Sequence, residues 1–262
     1  MKAPAPSGID SEGGIYYINF LNIFKKSSHL KKLVIAIDGP AASGKSTTAR
    51  LVAGRLGYLH VDTGAMYRAL TLKALRKAVD ISNAVQLTRL AKNTRIDLEN
   101  NPDGSIKVFL DNEDVSTNIR KPEITKFVSD VAKVEGVRKE MLHLQRRFGL
   151  RSSCVLDGRD IGTVVFPNAD RKFFLDAEFK TRVSRRHKEL KDSREAVTAE
   201  EVKKDLKNRD TIDSNRECAP LKKAPDALYV DTTKMTIEEV VDTLLKHIRV
   251  RANRHNRPNG YG

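Results

Sequence analysis

The chain has 262 residues, enough to bury a full hydrophobic core, and its length suits one α/β domain carrying an insertion better than two independent domains. Lys and Arg number 48 against 34 Asp and Glu, a formal charge of +14 that favours polyanionic partners such as nucleotide phosphates or nucleic acid. Two cysteines without CxxC or Cys/His spacing exclude a disulfide framework and a zinc site, and a reducing compartment is expected.

Residues 1–32 form a basic extension that is expected to be disordered. Its apolar run Ile15 to Phe24 is about half of what spans a bilayer. Asp10 and Glu12 before the run, and Lys25-Lys26 after it, do not fit a signal peptide, so no membrane partner and a cytoplasmic location are expected. Leaving out this extension and the basic tail 249–262 lowers the charge to +7, which suits an enzyme that handles two anionic substrates.

From Leu33 the pattern becomes short β-rich runs followed by amphipathic helices. The first run, Leu33 to Ile37, leads into Gly39-Pro40-Ala41-Ala42-Ser43-Gly44-Lys45-Ser46 and then a helix from Thr47 to Leu56. This is the G-x-x-x-x-G-K-[ST] phosphate loop in its required strand-to-helix setting. Its glycines let backbone N–H groups converge on phosphate oxygens, Lys45 reaches the β and γ phosphates, Ser46 can ligate Mg²⁺, and Thr47 completes the loop. The loop alone does not name the phosphate acceptor.

The second run, Tyr58 to Val61, precedes Asp62-Thr63-Gly64-Ala65-Met66-Tyr67-Arg68 and a helix over Ala65 to Val79. An insertion spans about 84–135, in which Asn101-Pro102-Asp103-Gly104 is a turn between Arg95 to Leu98 and Ile106 to Leu110, implying a small antiparallel sheet. Helices are expected over Glu123 to Val134 and Val137 to Phe148, with Gly149 as the C-cap of the second.

The third run, Cys154 to Leu156, holds what reads as a buried structural thiol and continues into the charge-dense Asp157-Gly158-Arg159-Asp160-Ile161-Gly162-Thr163. Charges beside so apolar a core need a ligand or a partner. Lys172 to Leu175 follows, then a helix from Glu178 to Leu190 bearing Arg182, Arg185, Arg186 and Glu189, either a solvated face or an anion-facing cluster. In Asn208 to Arg216, Arg209, Asp213 and Arg216 share a helical face, as a salt-bridge ladder or as part of a site. A last strand, Ala227 to Val230, and a helix, Ile237 to Ile248, complete a doubly wound α/β pattern, whose ligands sit at strand ends.

Together these segments resemble the bacterial cytidylate kinases, a branch of the P-loop nucleoside monophosphate kinases, over roughly residues 33–248. The resemblance rests on Gly39 to Ser46, Asp62 to Arg68, Asp157 to Pro167 and Arg209 to Arg216. It implies a three-layer P-loop NTPase fold with a five-stranded parallel sheet, an antiparallel insertion on the monophosphate side and a short lid at about 182–194. It also implies transfer of the γ-phosphoryl group of ATP, bound with Mg²⁺, to CMP or dCMP by a monomer.

By matching position, Arg68, Arg159 and Arg209 go to the acceptor phosphate and Asp213 to the ribose. Thr63, Ser129, Arg138, Asp160 and Arg216 go to the base, and Arg182 and Arg186 of the lid join Lys45 of the loop, Arg159 and Arg209 in neutralising charge during transfer. Cytosine offers an N4 donor beside N3 and O2 acceptors, so carboxylate, hydroxyl and Arg groups suit it better than uracil. The competing reading is a nucleic-acid-binding ATPase or GTPase using the basic tails. No N-K-x-D guanine motif supports it, and nucleic-acid contact is expected only weakly, through the tails.

Overall fold

The computed structural model describes residues 32–101, 105–193 and 195–255. The expectations for residues 1–31, the turn tip 102–104 and residues 256–262 lie outside the described residues.

Five strands form a parallel sheet: β1 (Val34–Asp38), β2 (Leu59–Asp62), β6 (Cys154–Gly158), β7 (Arg171–Asp176) and β8 (Leu228–Asp231), in the order β2-β6-β1-β7-β8. Alternation along β1 sends Ile35 and Ile37 into one core and Ala36 into the other. The first core lies under α1 (Lys45–Leu56) and α8 (Ile237–His255), with Val52, Val241 and Leu244 fully covered. On the opposite face stand α2 (Thr63–Arg76), α4 (Pro122–Ala132) and α5 (Glu135–Arg151), around Met66, Leu70, Ile124 and Met141. Burying each such side chain contributes roughly 1.5–3 kcal/mol.

The insertion holds α3 (Ala84–Lys92) and an antiparallel sheet of β3 (Ile96–Asn100), β4 (Ile106–Leu110) and β5 (Glu113–Asp114). The expected hairpin is present, while α3 and β5 are additions to it. Leu87 and Leu90 of α3 and Leu98, Val108 and Leu110 of the strands join the same core as α2 and α5.

Two expectations are corrected. Gly149 is not a C-cap, because α5 runs on to Arg151. A Cβ at this glycine would come within 2.5 Å of the Phe166 ring, so close packing explains it. The last helix does not stop at Ile248 but continues to His255, since its first breaker is Pro258.

Register places the site. Asp62 lies beside Asp157, and Asp38 beside Gly158, so the phosphate loop, the Asp62 turn and the Asp157 turn all leave the sheet at one edge. The chain leaves β1 for β2 past the position that β6 fills, and later crosses β1 to reach β7, so β1 is the switch point where open α/β sheets bind ligands. The remaining pair, α6 (Phe179–Asp192) and α7 (Ala199–Asn215), packs through Phe179, Val183, Val202 and Leu206 against Ala41.

Candidate active site

Each loop feature begins with backbone geometry. Gly39 has φ +154°, and a Cβ there would lie 2.0 Å from Leu175 O, so only glycine passes. Gly44, at φ +87°, turns the chain into α1. The loop is tied from behind: Arg182 Nη1 donates to Ala41 O at 3.2 Å, and Thr232 Oγ1 donates to Ser43 O at 3.2 Å. Lys45 Nζ donates to Pro40 O at 2.9 Å, folded over its own loop. Burial, and the nearby cations Arg159 and Arg209, push this ammonium down to about 7.

Across the strand ends, Ser46 Oγ donates to Asp157 Oδ2 at 2.5 Å, and His60 Nε2 meets Asp157 Oδ1 at 2.8 Å. Thr63 Oγ1 donates to Asp157 O at 2.7 Å. A hydroxyl beside a carboxylate is a hard-oxygen pair of the kind that would hold Mg²⁺ brought in with nucleotide phosphates. Among the described residues no cluster of three or more His, Cys, Asp or Glu could hold a metal without such help.

Asp62 caps α2 through Ala65 N and holds Arg68 Nη2 at 2.9 Å. Burial raises the Asp62 carboxyl, but Arg68 and His60 outweigh it and keep it below its usual range. Arg159 Nε binds Asp213 Oδ2 at 2.8 Å. The nearest acid to Arg209 is Asp205 at 3.8 Å, and Arg216 lies 3.8 Å from Asp213, so Asp213 is fastened across the cleft rather than along its own helix. Burial and Arg159 push Arg209 down to about 10, and its Nε has no hydrogen-bond partner.

Asp160 Oδ2 accepts from Arg138 Nη2 at 2.5 Å, with Arg216 Nη2 at 3.6 Å from its other oxygen. Arg138 also lies over the Tyr67 ring, 5.6 Å from its centroid. Burial raises that phenol to about 12.

Lys45, Ser46, Asp157, Arg159, Asp160 and Asp213 line one cleft of about 280 Å³. A model of the family described as cytidylate kinase matches residues 35–250. This chain belongs to the cytidylate kinase family. A cytidylate kinase of Clostridioides difficile strain 630 is 49% identical over 218 residues, covering 83% of this chain and 99% of the relative. That of Geobacillus sp. strain WCH70 is 50% identical over 217 residues, covering 83% and 96%. That of Bacillus licheniformis is 46% identical over 224 residues, covering 86% and 99%.

Within the cytidylate kinase cleft stand all nine residues expected on the acceptor side: Thr63, Arg68, Ser129, Arg138, Arg159, Asp160, Arg209, Asp213 and Arg216. Of the loop, Ala41, Ala42, Gly44, Lys45, Ser46 and Thr47 line it, while Gly39, Pro40 and Ser43 are not among the lining residues. Arg186 faces the cleft and pairs with Glu189 at 2.9 Å. Arg182 does not line it. This residue is buried behind the loop, its Nη1 bound to Asp210 Oδ2 at 2.6 Å, and Arg185 is spent on Thr232 O at 2.6 Å.

Sequence reasoning left Tyr67, Arg120, Thr125 and Asp157 without a role, though all four line the cleft. Tyr67 and Asp157 sat inside motifs already singled out, one helical turn and one strand end from assigned residues. Arg120 comes from a 3-10 turn, Asn118–Arg120, that carries no periodic signal.

Proposed function

We propose that this protein transfers the γ-phosphoryl group of ATP to CMP or dCMP, giving ADP and CDP or dCDP. The observation that carries this reading is a single cleft in which a phosphate loop faces the Arg138–Asp160–Arg216 cluster. ATP phosphates would lie against the loop amides at the start of α1, where the helix dipole favours anions. Lys45 would leave Pro40 O for a phosphate oxygen, exchanging a carbonyl for a full negative charge. Arg68, Arg159 and Arg209 would hold the acceptor phosphate, whose oxygen is already anionic and needs no general base.

The protein's contribution is then alignment for in-line attack together with cations fixed in a low-dielectric cleft. Magnesium, held with ATP beside Ser46 and Asp157, would supply charge neutralisation on the donor phosphates. At the base, Asp160 accepts from the cytosine N4 amino group with help from Thr63 and Ser129, while Arg138 and Arg216 donate to N3 and O2. Uracil would set its O4 against the carboxylate and its N3–H against an arginine. Polar pairing of this kind can discriminate by up to about 10⁴–10⁵.

The catalytic domain is taken as residues 33–248, with 84–135 as the acceptor-side insertion. The 182–194 segment would act as a lid, in which Arg186 can reach the transferring group and Arg182 braces the loop. Among the described residues no helix is long and apolar enough to cross a membrane.

The test is ADP formation by the purified protein in the presence of Mg²⁺, with CMP, dCMP, UMP and AMP each offered as acceptor. CMP-dependent ADP release is expected, with UMP and AMP far slower. Strong phosphorylation of UMP or AMP with none of CMP would overturn the acceptor assignment.

A further inference from the structure

Asp38 ends β1, immediately before the phosphate loop, yet its carboxylate turns away from that loop. Oδ1 accepts from Ile161 N at 2.8 Å and Oδ2 from Gly162 N at 2.7 Å, and the residue is only 4% exposed. Those two amides open a π-helical turn, Ile161–Val165, whose N-cap position is Asp160. An aspartate at an N-cap ordinarily spends its own side chain on the first amides of the turn. Asp160 makes no such bond and reaches Arg138 and Arg216 instead.

We propose that Asp38 is a positioning residue for the acceptor site: by capping the turn that follows Asp160, it releases the Asp160 side chain to face Arg138 and Arg216. The inference rests on the reading above that Asp160 meets the base. Two further observations support it. Gly162 packs closely on the carboxylate, since a Cβ there would stand 3.3 Å from Asp38 Oδ2 and 3.1 Å from Lys172 Cδ, which would have to give way by a few tenths of an ångström. Burial, opposed by the two amides and by Arg159 and reinforced by Asp160, pushes the Asp38 carboxyl up to about 7, so the chain retains a dehydrated acid where an apolar residue would pack more easily. The phosphate loop is tied separately, by Arg182 at Ala41 O and by Thr232 at Ser43 O.

The test varies CMP, UMP and ATP separately for wild type, Asp38→Asn and Asp160→Ala, with thermal melting of each. The asparagine keeps the shape but points an NH₂ at one of the two amides. Expected for Asp38→Asn is a CMP KM raised about tenfold, the scale of one hydrogen bond to a charged group, with the ATP KM within about twofold. The preference for CMP over UMP should fall in the same direction as in Asp160→Ala. Should Asp38→Asn fail to fold, Gly162→Ala crowds the same contact without removing the charge, and a smaller rise confined to the CMP KM is expected. Equal rises in both KM values, or no change in either, overturn the proposal. If Asp160→Ala leaves the CMP-to-UMP ratio unchanged, the base reading fails and this inference fails with it. If Asp160→Ala shifts that ratio and Asp38→Asn does not, only the role of Asp38 is lost.

Discussion

Single side chains in this cleft are held in states that the fold disfavours. Lys45 is the clearest, a buried ammonium beside Arg159 and Arg209 with its titration lowered from 10.5 to about 7. The folded chain therefore binds fewer protons than the unfolded one between about pH 7 and pH 10.5, so this group's destabilisation is full below that window and fades as pH rises through it. Lys45→Met should lose nearly all turnover yet melt above wild type at pH 7, and the gap should close toward pH 10, as read by melting curves across pH. The lid arginines divide in the same manner. Arg182→Ala removes the brace on Ala41 O and strands Asp210, and should cost about 3 kcal/mol of stability along with activity. Arg186→Ala should lower turnover while leaving the melting temperature within about 1–2 °C, since its own partner Glu189 is largely exposed. Cys154 behaves as the buried structural thiol expected of it, pushed up to about 12 by burial.

Among the elements, the loop and its flanks separate backbone requirements from side-chain ones. Gly39→Ala should abolish ATP binding and lower stability, because the methyl group would overlap Leu175 O on the neighbouring strand. By contrast, Thr198 and Glu201 close a capping box at the start of α7, and neither lines the cleft. Thr198→Ala should cost about 1 kcal/mol, or about 2–4 °C in melting temperature, with kcat/KM unchanged. Strands and most of the longer helices were legible in sequence from short apolar runs and the motifs beside them, but α7 was read only over Asn208 to Arg216, about its last two turns. The unexpected α3 carries Leu87, Leu90 and Ala91 at helical spacing over nine residues, a short period that was overlooked, whereas β5, two residues long, has none to display. Gly149 was misread because a glycine near a helix end signals a cap and a tight packing contact alike.

At the scale of the whole molecule, the cleft concentrates cations whose charge the carboxylates only partly balance. ATP and CMP together should raise the melting temperature, by an amount equivalent to about 2.7 kcal/mol per ligand at a hundredfold excess over its Kd. A melting series that shows no shift with either nucleotide would remove the anion-binding reading of Arg159, Arg209 and Lys45. The expected site was largely readable because it is built from contiguous motifs at strand ends, and a motif carries its residue types at fixed spacing. Sequence by itself determined the phosphate loop and the five parallel strands, since each depends on local pattern or local backbone freedom, whereas the roles of the acceptor-side arginines and aspartates came from the resemblance to the cytidylate kinases. Only the tertiary structure decided which charges pair across the cleft: Arg159 with Asp213, Asp160 with Arg138, Asp38 with the turn after Asp160, and Arg182 with the back of the loop. Such pairings join residues far apart in the chain, and the register of parallel strands, set by the packing of two cores, is what brings them within hydrogen-bond reach.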